Sequence, residues 1–362
     1  MENEKKSKMN LSRRKFLSST ATVAAFSMMP VNLFSKSIPE AKTLTGTPPN
    51  SNFGGVQIGA ITYSWRSMPG GVENIIKYCG ETGISSIELM SNDVEEFLGA
   101  PKNPMMAMFG PPPPPPKTPA GDPAAPPPLP PPPPPQRREL TQEQKDAIEK
   151  YNQEMKVWRL SLPMSKYDDV RKMFDAAGIK IHIVKFSPAR WSDEEIDYAF
   201  KAAKALGTNG ITEEIGEEAV KKLAPFAEKH GMYAIFHNHM QFATPGFSYD
   251  PFIDVSPAVM FNFDSGHFFG STGIHPNTII EKYHDRIVSI HMKDKTGPKT
   301  DPANTNQVWG QGEAPIADIL LLIKKNGWPI FCDIELEYDV KPWSNAVKEV
   351  KTCVQYARQI LI

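Results

Sequence analysis

Four stretches of this sequence end in side chains able to ligate a metal or move a proton. Tyr233 to His237 continues into Asn238-His239, and Val259 to Asp264 continues into Ser265-Gly266-His267. Ile287 to His291 leads into Met292-Lys293-Asp294, and Ile330 to Glu335 into Leu336-Glu337. In each case the polar residues close an apolar, strand-like run, so they should gather at one end of a sheet. Alternation sends Tyr233, Ile235, His237 and His239 to one side of their strand and Phe236 to the other. A lone His or Asp at a strand end is more often a hydrogen-bonded structural residue than a ligand. Four such ends on successive strands would converge, and burying that much unpaired charge costs several kcal/mol unless a cation compensates it. A divalent ion resolves that cost, and the mixture of imidazole and carboxylate suits Mn, Zn, Co, Ni, Fe(II) or Mg without choosing among them.

The elements that must position these residues alternate along the chain. Strand-like runs at Val56 to Trp65, Ile84 to Met90, Ile179 to Phe186 and Gly210 to Glu214 precede the four above. Helical spacing is predicted at Val72 to Cys79, Tyr167 to Ala177, Asp193 to Leu206, Glu217 to His230, Pro276 to Tyr283, Ile316 to Asn326 and Ser344 to Ile360. Eight strand-and-helix alternations, several with a helix-ending Gly before the next strand, predict a closed (β/α)8 TIM barrel as a single domain over 53–350, with 344–362 as its last helix. No GxGxxG or P-loop follows any strand. Between strands 2 and 3, an insertion of about 98–160 carries the proline runs Pro111 to Pro116 and Pro126 to Pro135. Such runs form neither helix nor ladder and read as an extended spacer or lid, followed by a charged helix at about Thr141 to Trp158.

In that frame the strand-end residues lie on the active-site rim of the barrel. Glu214, ending the fourth strand, puts a carboxylate on the adjoining rim, or else is a solvated residue opening the next helix. Lys293 either pins a substrate oxygen or pairs with Asp294. Trp65, Tyr63 and Trp309 are candidate apolar walls for a ring to stack on. The 362 residues carry 40 Lys and Arg against 41 Asp and Glu, a balance without the basic surface that nucleic-acid binding needs. Cys79, Cys332 and Cys353 show no metal or disulfide spacing and read as buried thiols. The first 40 residues hold Ser12-Arg13-Arg14-Lys15-Phe16-Leu17 and a short apolar run from Ala21 to Met29. They resemble a twin-arginine signal, which implies the Tat export machinery as partner and a periplasmic location.

The run Phe263-Asp264-Ser265-Gly266-His267, then Gly273-Ile274-His275-Pro276, Ile290-His291-Met292-Lys293-Asp294, Gly310-Gln311-Gly312 and Ile334-Glu335, resembles the xylose isomerase-like superfamily over most of the chain. That superfamily holds sugar epimerases, inosose dehydratase and endonuclease IV. The resemblance implies one divalent metal held by Asp264, His291 and Glu335, with the fourth ligand from the fifth strand. There the usual Glu-Asn is replaced by His237-Asn238, so His237 is the expected fourth ligand. A symmetric two-glutamate mechanism then lacks one base, for which Glu214 is the nearest candidate. Glu337 is the alternative to Glu335, which lies nearer the strand core. His267 matches a substrate-contacting histidine of the family, and His239 is expected to touch substrate too.

The activity so implied is metal-assisted proton transfer through the enediolate of a keto-sugar or keto-polyol, giving isomerisation, epimerisation, or elimination from an oxidised glycoside. The expected catalytic set is Glu335, Glu214, His267 and Lys293. The expected partner is a small carbohydrate and not a nucleic acid, and a homo-oligomer stays open. Two alternatives are an endonuclease IV-like phosphodiesterase using extra histidines and a non-catalytic sugar-binding barrel.

Overall fold

The computed structural model describes residues 48–105 and 140–362. The twin-arginine segment and both proline runs lie outside the described residues. Eight parallel strands close on themselves in chain order: β2 (Val56–Ile61), β3 (Ser86–Met90), β4 (Lys180–Lys185), β5 (Gly210–Glu214), β6 (Tyr233–His237), β7 (Val259–Asp264), β8 (Ile287–Met292) and β11 (Phe331–Ile334). β11 pairs with both β8 and β2, and β2 with β3, which shuts the (β/α)8 barrel. A two-residue strand β1 (Asn52–Phe53) adds antiparallel to β2. The hairpin of β9 (Asp294–Lys295) and β10 (Asn306–Gln307) follows β8.

The helices follow from amphipathic spacing and recognisable ends. α1 (Val72–Thr82), α6 (Glu217–His230) and α10 (Ile316–Asn326) each stop at a glycine in the left-handed region, Gly83, Gly231 and Gly327, ahead of the next strand. α5 (Asp193–Ala205) opens with a capping box in which Ser192 and Glu195 exchange hydrogen bonds. α2 (Ser91–Phe97), α4 (Ser165–Ala176), α7 (Asp250–Ile253), α8 (Ser265–Thr272), α9 (Asn277–Tyr283) and α11 (Ala346–Leu361) complete the barrel's set among the described residues. Among the described residues, 99–105 and 140–161 belong to a second compact unit. Its helix α3 (Gln142–Ser161) carries the expected charged pattern, with a Lys150–Glu154 pair one turn apart at 3.8 Å.

One element end departs from the sequence expectation. The first strand stops at Ile61, and Thr62–Trp65 form a 3-10 turn. Side-chain hydroxyls replace the ladder there: Thr62 Oγ1 accepts from the Met90 N–H, while Ser64 Oγ donates to the Ile334 carbonyl and accepts from the Leu336 N–H. The sixth barrel strand stops at Asp264, where α8 begins, so His267 sits on a helix and not on the strand extension.

The barrel interior is polar well below its mouth. His182 Nε2 meets Asp333 Oδ2 at 2.8 Å, its Nδ1 meets Ser86 Oγ at 2.9 Å, and Ser289 Oγ donates to the same Asp333 oxygen at 2.7 Å. Phe331 stacks on the His182 ring at 4.1 Å. This layer fits because Gly59 on β2 has no side chain; a Cβ there would lie 2.0 Å from Asp333 Oδ1. Gly59→Ala is expected to destabilise the barrel by about 1–3 kcal/mol through overpacking, read as a lower urea midpoint at an unchanged slope.

Candidate metal centre

The layer above is built from β3, β5, β7 and β8. Glu88 is fully buried, with Oε2 2.6 Å from His291 Nε2 and 2.8 Å from Asn262 Nδ2, and Oε1 accepting from Thr212 at 2.8 Å. His291 is thereby gripped from below, and its other nitrogen, Nδ1, faces the mouth 2.7 Å from Glu335 Oε2. Burial disfavours a charge on His291, but Glu335 and Glu88 outweigh it and hold the ring well above the usual imidazole range. Sequence reading missed Glu88. Its signal was a carboxylate at an alternating position inside the apolar run Ile87-Glu88-Leu89, where an unpaired charge would be costly.

At the mouth, one ligand atom each from His237, Asp264, His291 and Glu335 lie within 4.8 Å of one another, and all four residues are buried. These are the four expected ligands. Asp264 Oδ2, His291 Nδ1 and Glu335 Oε2 are buried without an aligned hydrogen bond, as is Nδ1 of His237. Opposed donors around a cation with bonds near 2.1 Å stand roughly 4.2 Å apart, so two imidazoles and two carboxylates at this spacing fit a divalent ion after a small contraction. Asp264 serves two purposes, because its Oδ1 caps α8 by accepting from the His267 N–H at 2.7 Å while Oδ2 turns to the cluster.

Lys293 supplies a cation of the chain's own. Its buried Nζ lies 2.8 Å from Asp264 Oδ2 and 2.7 Å from both Glu335 Oε2 and Glu337 Oε2. Burial opposes its charge, but the three carboxylates raise its pKa further still. Glu335, despite burial, is held well below the usual carboxylate range by Lys293 and His291. Lys293 does not pair with Asp294. That carboxylate instead accepts the backbone N–H groups of Gly310, Gly312 and Ala314, which folds the Gly-Gln-Gly turn around it.

The remaining expected residues separate. Glu214 is drawn into an ion pair with Lys185 at 2.7 Å and with His239 Nε2 at 3.0 Å. Burial pushes its pKa up, but His239 and Lys185 bring it down to about 2. The hydrogen bond to Glu214 raises His239, half exposed on the rim, above the usual imidazole range. Glu214, His237 and His239 also offer atoms close enough to share an ion, though Lys185 already balances Glu214. His267 faces the cluster, its Nε2 3.6 Å from Glu337 Oε2 and 3.8 Å from Asp264 Oδ2. Trp65 and Trp309 are not stacking faces, because each is buried against another ring, Tyr78 at 5.8 Å and Tyr356 at 6.0 Å. A cavity at the opposite, N-terminal end of the barrel is lined by Lys180, Trp328 and Phe331 among others, but by no carboxylate or histidine.

Comparison with known proteins agrees with this architecture. Among solved structures the chain is similar to a probable 3-DHS dehydratase from Bacillus anthracis, at 13% identity and a TM-score of 0.52 over 83% of this chain and 98% of that one. It is also similar to a sugar phosphate isomerase/epimerase from Parabacteroides distasonis, at 17% identity and a TM-score of 0.50 over 90% and 100% of the two chains. A xylose isomerase domain protein from Alicyclobacillus acidocaldarius gives 12% identity and a TM-score of 0.52 over 84% and 98%. At these identities the likeness is one of fold. No curated protein matches. A family model described as xylose isomerase-like TIM barrel matches residues 145–357, and the chain belongs to that family.

Proposed function

We propose that this barrel is a metal-dependent enzyme acting on a sugar or polyol, removing a proton next to a carbonyl and then isomerising, epimerising or eliminating. The observation that carries the reading is the convergence of buried imidazole and carboxylate atoms from His237, Asp264, His291 and Glu335, within 4.8 Å of one another, at the C-terminal mouth of the barrel. A divalent ion held there would polarise a carbonyl and stabilise the negative charge that develops when the neighbouring carbon loses its proton.

The chain's own residues divide the remaining work. Glu335, kept ionised by Lys293 and His291, is placed to accept the proton. Lys293, an ammonium among three carboxylates, is placed to steady an oxyanion beside them. Glu214 is occupied by Lys185 and His239, so the second proton carrier falls to the rim histidines. His239, paired with Glu214, is the better donor of a proton to a departing hydroxyl or alkoxide, and His267 lies beside it with ring centroids 5.0 Å apart. A carboxylate acceptor combined with imidazole donors favours elimination over symmetric epimerisation. The twin-arginine reading of Arg13 and Arg14 adds an exported location, where an unphosphorylated or oxidised carbohydrate is the fitting substrate.

Metal analysis of the purified protein should give about one divalent ion per chain, and solvent deuterium should enter a keto-sugar of a broad panel. Glu335→Gln should lower that exchange by about 10²–10⁴-fold. No exchange with any panel member would sink the reading, and two or three ions per chain would favour the phosphodiesterase alternative. Glu88→Gln should weaken metal binding by about 10–100-fold in chelator competition while leaving circular dichroism unchanged, because Glu88 orients His291 without touching the ion.

A further inference from the structure

The far end of the barrel holds a cavity that the chemistry proposed above leaves unused. Its volume is about 510 Å³, within the range of about 300–1,000 Å³ that takes small-molecule ligands. The wall is built where strands begin, from Gln57 on β2, Lys180 on β4 and Phe331 on β11, with Trp328 from the segment before β11. This face of a barrel ordinarily serves stability. Phe331 and Trp328 are nevertheless only half-buried. Apolar rings left facing an open space forgo the gain that a filled interior would bring.

Both rings are held from behind. Phe331 lies flat on His182 with centroids 4.1 Å apart, and His182 is fixed in turn by Ser86 and Asp333. Trp328 lies flat on His284 at 4.3 Å. Each ring therefore has one face committed to an imidazole, and a wall fixed in this way costs a ligand little ordering. Lys180 brings the charge. Exposed at the start of β4, its ammonium stands over the Phe331 ring, 5.2 Å from the centroid, and makes no salt bridge among the described residues. No carboxylate or histidine lines the cavity, and its other polar side chains are the uncharged amides of Asn52, Gln57 and Asn209.

We infer that this cavity is a second ligand site, for a planar aromatic carboxylate whose ring lies against Trp328 and Phe331 and whose carboxylate meets the Lys180 ammonium. A cationic ligand would be repelled there, and a neutral one would leave the ammonium unanswered; a flat apolar body with one negative group answers both features of the wall. The site shares no residue with the metal centre, and the polar tiers of His182 and Glu88 lie between them. It stands or falls independently of the sugar reading.

The test is calorimetric titration of the full chain with 2-naphthoate, 2-naphthylmethanol and 2-naphthylmethylamine, which share a ring and differ in charge. Naphthoate should bind about fivefold tighter than the alcohol, the upper range for an ion pair open to solvent, and the amine should bind weakest. A carboxylate is also a metal ligand, so each titration is repeated after chelation, and binding in the cavity should survive removal of the metal. Lys180→Met should bring naphthoate down to the affinity of the alcohol and leave the alcohol unchanged. Trp328→Ala should weaken acid and alcohol alike, by about threefold or more. Naphthoate that does not bind, that binds no tighter than the amine, that is lost on chelation, or that is indifferent to Lys180→Met would each overturn the site. Should Lys180→Met not fold, Trp328→Ala must weaken naphthoate in the metal-free protein for the site to stand.

Discussion

Carboxylates placed deep in a closed sheet must be matched by positive charge, and the upper half of this barrel is organised by that requirement. Glu88, Asp264, Glu335 and Glu337 stand within a few side chains of one another, three of them almost fully buried. His291 bridges Glu88 and Glu335, and Lys293 bridges Asp264, Glu335 and Glu337. Electrostatic balance of this kind is costly to break and confers little net stability compared with apolar packing. Its retention is therefore a statement about chemistry, since the same volume filled with Leu and Ile would hold the barrel at least as well.

The order of layers matters as much as the charges. His182, Asp333 and Ser289 form the lowest polar tier, Glu88, Thr212 and Asn262 the next, and the cluster of His237, Asp264, His291 and Glu335 the uppermost. Each tier fixes the one above. Ser289 contacts both Asp333 and Asn262, and Asn262 contacts Glu88 and His291. The imidazole that meets the cluster is thus oriented through three shells of hydrogen bonds, an arrangement suited to a group that must not rotate when an electrophile approaches.

Much of this was legible in the amino-acid order. The strand ends announced themselves because polar residues interrupt apolar alternation at the same relative place in successive units, and the family resemblance singled out His237, Asp264, His291 and Glu335 among them. Glu88 was hidden because a single acid inside an apolar strand looks like noise until the strand opposite it is known. His182 and Asp333 were hidden for the same reason, being separated by 151 positions in the chain. The end of the first strand was misjudged because Thr62, Tyr63 and Trp65 carry β propensity, while the Thr62 and Ser64 hydroxyls bond neighbouring strands and release the backbone to turn. Trp65 and Trp309 illustrate the opposite error, where aromatic rings near a presumed sugar site belong to packing.

At Asp264 one short side chain both ends a strand and begins a helix while facing the cluster. Its two oxygens are committed in different directions, so its length is fixed from both. A glutamate would carry the second oxygen past Lys293, and an asparagine would surrender the charge that Lys293 answers. Helix α8, which bears His267, is tethered to the same carboxylate, so any displacement of that group would tug the rim with it. A substitution at this one position would therefore loosen the strand end, the helix start and the charge balance together.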